Sequence, residues 1–234
     1  DFKLESIIVP LAALVLYFLM TYMGSNFLLM SMSEEKENRM MEILLSIITP
    51  KEIVVGKIIG LVGLVITQAV ILGGLGILIT WYFLSRTALP IDLSSIIIDP
   101  VQVGISLFYV LAGFLTIAAV MVGAGAAAPN YRDAQGMSSI FILLSIFPIY
   151  FAMLIMQEPA GTLSVVLSYL PLTSPIVLLA RNVLDALPPY EIVISMFVLL
   201  GYLGGGFYLA FKLFELGSME YSEKVDFNKL FKRT

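Results

Sequence analysis

Long apolar runs alternate along the chain with short charged or proline-bearing stretches, and the runs exceed what the core helices of a soluble domain need. A helix crossing a bilayer requires about 20 mostly apolar residues. Five stretches meet that length: 7–32, 53–84, 105–128, 137–156 and 192–211. Pro10 falls in the opening turn of the first, where a missing N–H costs least. The second carries Gly56, Gly60, Gly63, Gly73, Gly74 and Gly76, small residues that let helices approach closely in lipid. Trp81 and Tyr82 stand near its far end as interfacial aromatics. The third ends in the small-residue run 123–128, the fourth contains Pro148 and is expected to kink there, and the last carries Gly201, Gly204, Gly205 and Gly206.

The polar stretches between these runs predict their own elements. Ser33 to Lys57 is dense in charge of both signs. Glu34 precedes Glu35, which lies four residues before Arg39, the favoured order for a helical ion pair. Met41, Leu44, Leu45 and Ile48 recur at spacings of three and four, so one apolar stripe is expected on a short helix over 34–48, with Glu42 beside it. Thr49 can cap a new helix, Pro50 suits its first position, and Glu52 completes a capping box. The reading is helix, sharp turn, helix, lying at a membrane surface. Residues 85–104 read as a loop with a short surface helix, and 129–136 as a tight polar turn. Residues 163–180 are apolar enough to look like a span, but Pro171 and Pro175 lie four apart around Thr173 and Ser174. Two prolines so spaced break a helix, so two short helices dipping into the membrane edge and returning are expected. Residues 212–234 form a mixed-charge tail whose Phe211, Phe214 and Met219 could lie along the membrane face.

Composition and charge fix the class and its orientation. Apolar residues make up 59% of the 234 and charged residues only 13%, about half the share typical of soluble domains. The net charge of −4 matters less than where the basic residues fall. With five spans, Lys36, Arg39, Lys51, Lys57, Arg132, Lys212, Lys224, Lys229, Lys232 and Arg233 share one side, against Lys3, Arg86 and Arg181 on the other. Ten against three places the charged stretch and the C-terminus in the cytoplasm and the visible N-terminus outside. A sixth span at 163–180 would export the basic tail. The expected protein is all-α and integral to the membrane, a single transmembrane domain over 1–234 that crosses the plasma membrane repeatedly. The sequence begins with Asp1 rather than Met, so a processed or truncated piece is expected.

Candidate chemistry is sparse. Glu34-Glu35-x-x-x-Arg39 matches an intramembrane-protease pattern that also needs histidines, and the chain has none. Without Cys there is no disulfide framework, and no Ser or Cys nucleophile has a His base. No GxxxxGK[ST] phosphate loop is present. Ionisable groups are nearly absent from the central spans, where Thr67, Gln68, Thr80 and Thr116 are the polar groups that stand out. These either bond their own or neighbouring helices or line a substrate path. Tyr131, Arg132 and Asp133 form the second cytoplasmic turn, with Arg132-Asp133 expected as a helix-entry cap and local ion pair. Arg181 and Asp185, four apart, either pair on the outer surface as a lid support or stand solvated.

Four pieces carry a family resemblance: 35–60 (EKENRMMEILLSIITPKEIVVGKIIG), 131–135 (YRDAQ), 169–181 (YLPLTSPIVLLAR) and 212–224 (KLFELGSMEYSEK). In this order they resemble the membrane subunit of an ATP-binding-cassette (ABC) transporter of the type-2 permease family, within it the NatB sodium-exporter permease subgroup. The resemblance implies an exporter permease whose coupling helix at Glu34–Ile48, with Thr49 and Pro50, docks onto separate ABC ATPase subunits. It implies short outer helices over Pro159–Asp185, with Pro171, Thr173, Ser174, Pro175 and Arg181 at an outer gate. It also implies a second permease copy or paralogue around a central path, with ATP and magnesium on the partner subunits and no cofactor, metal or catalytic residue in this chain. Nucleic acid is not an expected partner. The family usually has six spans, the first of which is absent here. Two other classes remain open beside the exporter: an ATP-independent channel or secondary carrier, which would need ionisable groups in the spans or an internal repeat, and a membrane scaffold without transport of its own. Apolar spans with sparse hydroxyls are compatible with sodium, a drug, a peptide or a lipid-like substrate.

Overall fold

The computed structural model describes residues 5–37, 40–86, 99–128 and 130–219, and among these every regular element is helical. The first two apolar runs become α1 (Glu5–Glu37) and α3 (Pro50–Arg86), helices of 33 and 37 residues, with the short α2 (Met40–Ile47) between them. Of the expected helix over 34–48, residues 34–37 lie on α1 and 40–47 on α2, and 38–39 fall outside the described residues. The surface helix expected in 85–104 falls largely on residues outside the described ones.

Helix α4 (Pro100–Ala127) is the centre of the fold. It starts five residues earlier than the apolar run because Asp99 caps it, the carboxylate accepting from the Val101 N–H at 3.0 Å, with Pro100 in the first turn. Its small residues, Ala112, Gly113, Ala118, Ala119 and the run 123–127, are buried and let five neighbouring helices close in. A helix with no polar face belongs in the interior. Its broadest contact is with α9 (Pro189–Met219), followed by α1 and α8. Gly123 and Gly206 mark the α4–α9 approach: a Cβ on Gly123 would lie 3.1 Å from Leu213 Cδ1, and one on Gly206 3.5 Å from the Thr116 carbonyl oxygen. By contrast Gly56, Gly60, Gly63, Gly74, Gly201, Gly204 and Gly205, singled out by their spacing, face open space.

Helix α5 (Tyr131–Tyr150) takes in most of the stretch 129–136 expected as a tight turn, which is helical from Tyr131 on, and Pro148 sits in its last turn. Lacking an N–H, Pro148 cannot bond back to Leu144, and the helix breaks at Phe151, whose N–H turns to the Pro148 carbonyl at 3.0 Å. The short α6 (Ala152–Gln157) continues beyond the break. The apolar segment with two prolines is two short helices, α7 (Thr162–Ser168) and α8 (Ser174–Val183), joined by a turn containing Pro171. Helix α8 is buried along most of its length against α1 and α4.

Three helices have a described stretch long and apolar enough to cross a membrane: Pro100–Ala127, Arg132–Tyr150 and Pro189–Phe214. Large apolar side chains stand exposed along α5 and α9, among them Ile140, Leu143, Phe147, Phe197, Leu200 and Leu209. Exposed apolar surface on this scale suits lipid and not water. The tail reading changes in one respect. Helix α9 carries the chain to Met219, and Phe214 is core, packed with Ile53, Val54, Phe114 and Ala118 and not laid on a membrane face. Residues 220–234 lie outside the described ones.

Candidate functional site

Two groups of side chains stand out, one where α1, α2 and α3 meet and one around α7, α8 and the start of α9.

The first is built on a reciprocal cap. The Thr49 N–H and hydroxyl donate to Glu52 Oε2 at 2.7 and 2.8 Å, and the Glu52 N–H donates to Thr49 Oγ1 at 3.4 Å. These bonds hold the Glu52 carboxyl below its usual range, the Thr49 backbone N–H contributing most. With Pro50 opening α3, the cap fixes the angle between α2 and α3. Seven residues on, Lys57 Nζ donates to Glu35 Oε1 and to Ser31 Oγ, both at 2.7 Å, tying α3 to α1. The helical partner expected for Glu35, Arg39, lies outside the described residues. Glu34 is exposed and, with Phe27, Met30, Ser31, Glu35 and Met40, lines an open pocket of about 290 Å³.

Helix α2 presents two apolar faces. Leu44 and Leu45 turn inward and pack on the cluster of Ile53, Val54, Phe114 and Phe214. Met40, Ile43 and Ile47, at i, i+3 and i+7, form the outward face, with Ile43 63% and Ile47 75% exposed. This corrects the docking stripe expected from the sequence. Leu44 and Leu45 are held by this chain's own core, Ile48 is exposed, and the side chains of Met41 and Glu42 lie outside the described residues. Periodicity alone placed all these residues on α2 but not on a face. In the second turn, Asn130 caps α5, its Oδ1 accepting from the Asp133 N–H at 2.9 Å and its Nδ2 donating to Asp133 Oδ2 at 3.2 Å. The cap is therefore Asn130 with Asp133, while Arg132 is exposed and Tyr131 is the first residue of the helix.

The polar residues of the spans separate by position. Thr116 is buried between α4 and α9 and donates to the Ala112 carbonyl at 2.7 Å, so it belongs to a helix interface and not to a path. Thr67 is exposed and bonds the Gly63 carbonyl at 2.9 Å. Gln68 reaches from α3 to Met23 Sδ at 3.3 Å on α1, leaving its own Oε1 buried without a partner.

The second group centres on Arg181, the largest fully buried side chain described. Its Nη2 lies 2.8 Å from Glu191 Oε2 in the first turn of α9, and its Nη1 donates to Ser168 Oγ at 3.0 Å. Ser168 passes its own proton to the Ser164 carbonyl at 2.7 Å, and Ser164 donates to the Glu158 carbonyl at 2.9 Å. This overturns both alternatives for Arg181 and Asp185, paired with each other or solvated: Arg181 is buried and its partner is Glu191. Asp185 instead adopts a left-handed conformation (φ 52°) in the turn after α8. On the other side of α8, Asn182 Nδ2 donates to the Gln102 carbonyl and to Ser106 Oγ, and Gln102 Nε2 donates to the Asn182 carbonyl at 2.6 Å. Tyr202 Oη on α9 donates to the Tyr169 carbonyl at 2.6 Å. The Tyr169 phenol is held above its usual range, by burial first and then by the Glu191 carboxylate, with Arg181 opposing. Of the other residues expected at an outer gate, Thr173 bonds the Leu167 carbonyl at 2.8 Å, Ser174 is fully buried, Pro175 opens α8 and Pro171 is exposed.

Pro175 also meets the tightest of the described glycines. A Cβ on Gly113 would fall 2.3 Å from Pro175 Cβ and 2.6 Å from the Tyr17 hydroxyl, so Gly113 is where α1, α4 and α8 meet. Neither Gly113 nor Glu191 was singled out by the sequence pattern, although the Pro188-Pro189 pair does signal a turn able to fold Glu191 back toward α8.

Comparison with known proteins bears on both groups. A family model described as "ABC-2 family transporter protein" matches residues 3–212. An uncharacterised protein of Methanocaldococcus jannaschii is 29% identical over 227 residues, covering 96% of this chain and 53% of the relative. The chain therefore spans about half the length of the curated relative it matches. No solved structure matches it. With the family model covering most of its length and membrane-crossing helices in its fold, the chain belongs to the ABC-2 family of transporter proteins, as a membrane component of an ABC transporter.

Proposed function

We propose that this chain is the permease part of an ATP-driven exporter of the NatB-like kind, forming the substrate path and taking its energy from a separate ATPase subunit. In this reading α1 and α3 cross the membrane beside the three helices already long and apolar enough. The α1–α2–α3 junction lies in the cytoplasm, and a second permease copy or paralogue completes the path. ATP and magnesium reside on the partner, and the short helices α7 and α8 close the outer end.

The single observation that carries the reading is the two-faced geometry of α2. Its outer face, Met40, Ile43 and Ile47, is free to enter a groove on another protein, while Leu44 and Leu45 anchor the same helix to α3, α4 and α9. The Thr49–Glu52 cap and the Lys57–Glu35 pair make the cytoplasmic ends of α1, α2 and α3 one unit. A displacement of α2 by the partner would therefore reach the core as a rigid-body motion, the kind of change that packed helices make between two discrete arrangements. Co-expression with the ATPase subunit and purification through a tag on this chain tests the reading. ATP hydrolysis that co-purifies with the permease and rises in its presence is expected. Transport by the permease alone in liposomes, driven by an ion gradient without an ATPase, contradicts it.

A further inference from the structure

The buried Arg181 network has a form that a static brace does not need. Arg181 has five N–H donors. Nη1 reaches Ser168 and Nη2 lies at ion-pair distance from Glu191, but Nε has no partner, and Glu191 Oε2 is buried and off hydrogen-bond geometry. Ser174, fully buried about two helical turns before Arg181, also leaves its hydroxyl unpaired. Incompletely satisfied buried charges are costly, and the cost falls when water reaches them. The opposite side of α8 is different: Asn182 there uses both its amide protons and its own carbonyl oxygen in bonds to α4. The two elements joined by Arg181 are linked by a short connection, with Asp185 in the left-handed region, Pro188 ahead of α9 and Pro189 its first residue. Such a backbone conformation is held by its surroundings and is a common feature of hinges and switches.

We propose that Arg181, Glu191 and Ser168 form a latch that holds α7 and α8 against the start of α9, and that the latch opens while Asn182 keeps α8 on α4. Opening would part α8 from α9 at the end of the molecule that the proposed function assigns to the outside, and let water or substrate pass there. The inference rests on that reading only for calling this end the outer one. Its test uses the permease alone, so a failed latch and a failed exporter assignment give different results.

The chain contains no Cys, so single reporters can be placed without background labelling. Ser174→Cys is a near-isosteric reporter whose native hydroxyl makes no hydrogen bond. Ala119→Cys, buried between α4 and α9, is the control for loss of the fold. Labelling with a water-soluble maleimide is measured on the full chain in nanodiscs, with and without Glu191→Gln. The latch predicts labelling at position 174 at least ten times faster in E191Q, position 119 staying protected, and slow labelling restored by the charge swap Arg181→Glu with Glu191→Arg. Unchanged labelling at 174 in E191Q overturns the proposal. Equal acceleration at 174 and 119 also overturns it, because the pair is then a brace of the whole fold.

Discussion

Substituting Gly113 with Ala probes the tightest surroundings of any described glycine. The new Cβ would lie 2.3 Å from Pro175 Cβ, 2.6 Å from Pro175 Cγ and 2.6 Å from the Tyr17 hydroxyl. Carbon atoms rest at roughly 3.5 Å or more, so the overlap is about 1.2 Å (3.5 less 2.3). A flexible side chain would rotate away, but the Pro175 ring is fixed to the backbone and stands at the first turn of α8. Relief requires α8 to move off α4, which stretches the Asn182 bonds to Gln102 and Ser106. Overpacking of a well-packed core costs about 1–3 kcal/mol, and a rigid neighbour on one side with Tyr17 on the other puts Gly113→Ala at the upper end, near 3 kcal/mol. The assay is reversible unfolding of the purified chain in mixed micelles, with Gly204→Ala as the partner variant. Gly204 meets nothing within 4 Å, so its alanine is expected to leave stability unchanged or slightly raised, alanine being the better helix former. A Gly113→Ala protein as stable as Gly204→Ala would refute the α1–α4–α8 junction.

Two further outcomes follow from the junction of α1, α2 and α3. Lys57→Met removes the link from α3 to α1 and leaves the Glu35 carboxylate partly buried beside Ser31. A loss of about 1.5–3 kcal/mol is expected in the same unfolding assay, the scale of charged hydrogen bonds, and Lys57→Met combined with Glu35→Gln should recover much of it. The Glu52 carboxyl is held below its unfolded value by the Thr49 N–H and hydroxyl, so its contribution is present above the unfolded pKa, near 4.5, and is lost as pH falls through the folded value. Proteolytic nicking between α2 and α3 should therefore increase as pH falls below about 4.5, and Glu52→Gln should flatten that dependence; an unchanged profile in the variant would count against the cap.

What the sequence made legible was local. Thr49, Pro50 and Glu52 announce a capping box because its donors and acceptors lie within one turn, and the bonds are present. The prolines at 171 and 175 announce a break because their effect on the backbone needs no partner. Positions that depend on tertiary contact were not legible. On α2, Met40-Ile43-Ile47 and Leu44-Leu45 are equally apolar, and only packing on α3, α4 and α9 decides which face is the inner one. Spacing favours Asp185 as the partner of Arg181, but the left-handed turn at Asp185 ends the helix and brings Glu191 round instead. Glycine spacing singled out 201, 204, 205 and 206, of which Gly206 alone meets a neighbouring helix, whereas the tightest glycine surroundings are at Gly113, an isolated glycine in an apolar run. For Thr116 the sequence left helix bonding and path lining both open, and its burial against α9 with a bond to the Ala112 carbonyl shows it satisfying its own helix.

The central claim is that the outer face of α2 carries the permease's hold on its ATPase. Its most direct measurement is the affinity of the ATPase subunit for the nanodisc-embedded chain, compared between wild type and Ile43→Glu with Ile47→Glu. Burying one such side chain is worth about 1.5–3 kcal/mol, so losing two should weaken binding by roughly 100-fold or more while the variant keeps its fold, since neither residue touches the core. An affinity within threefold of wild type in a folded double variant would contradict the account.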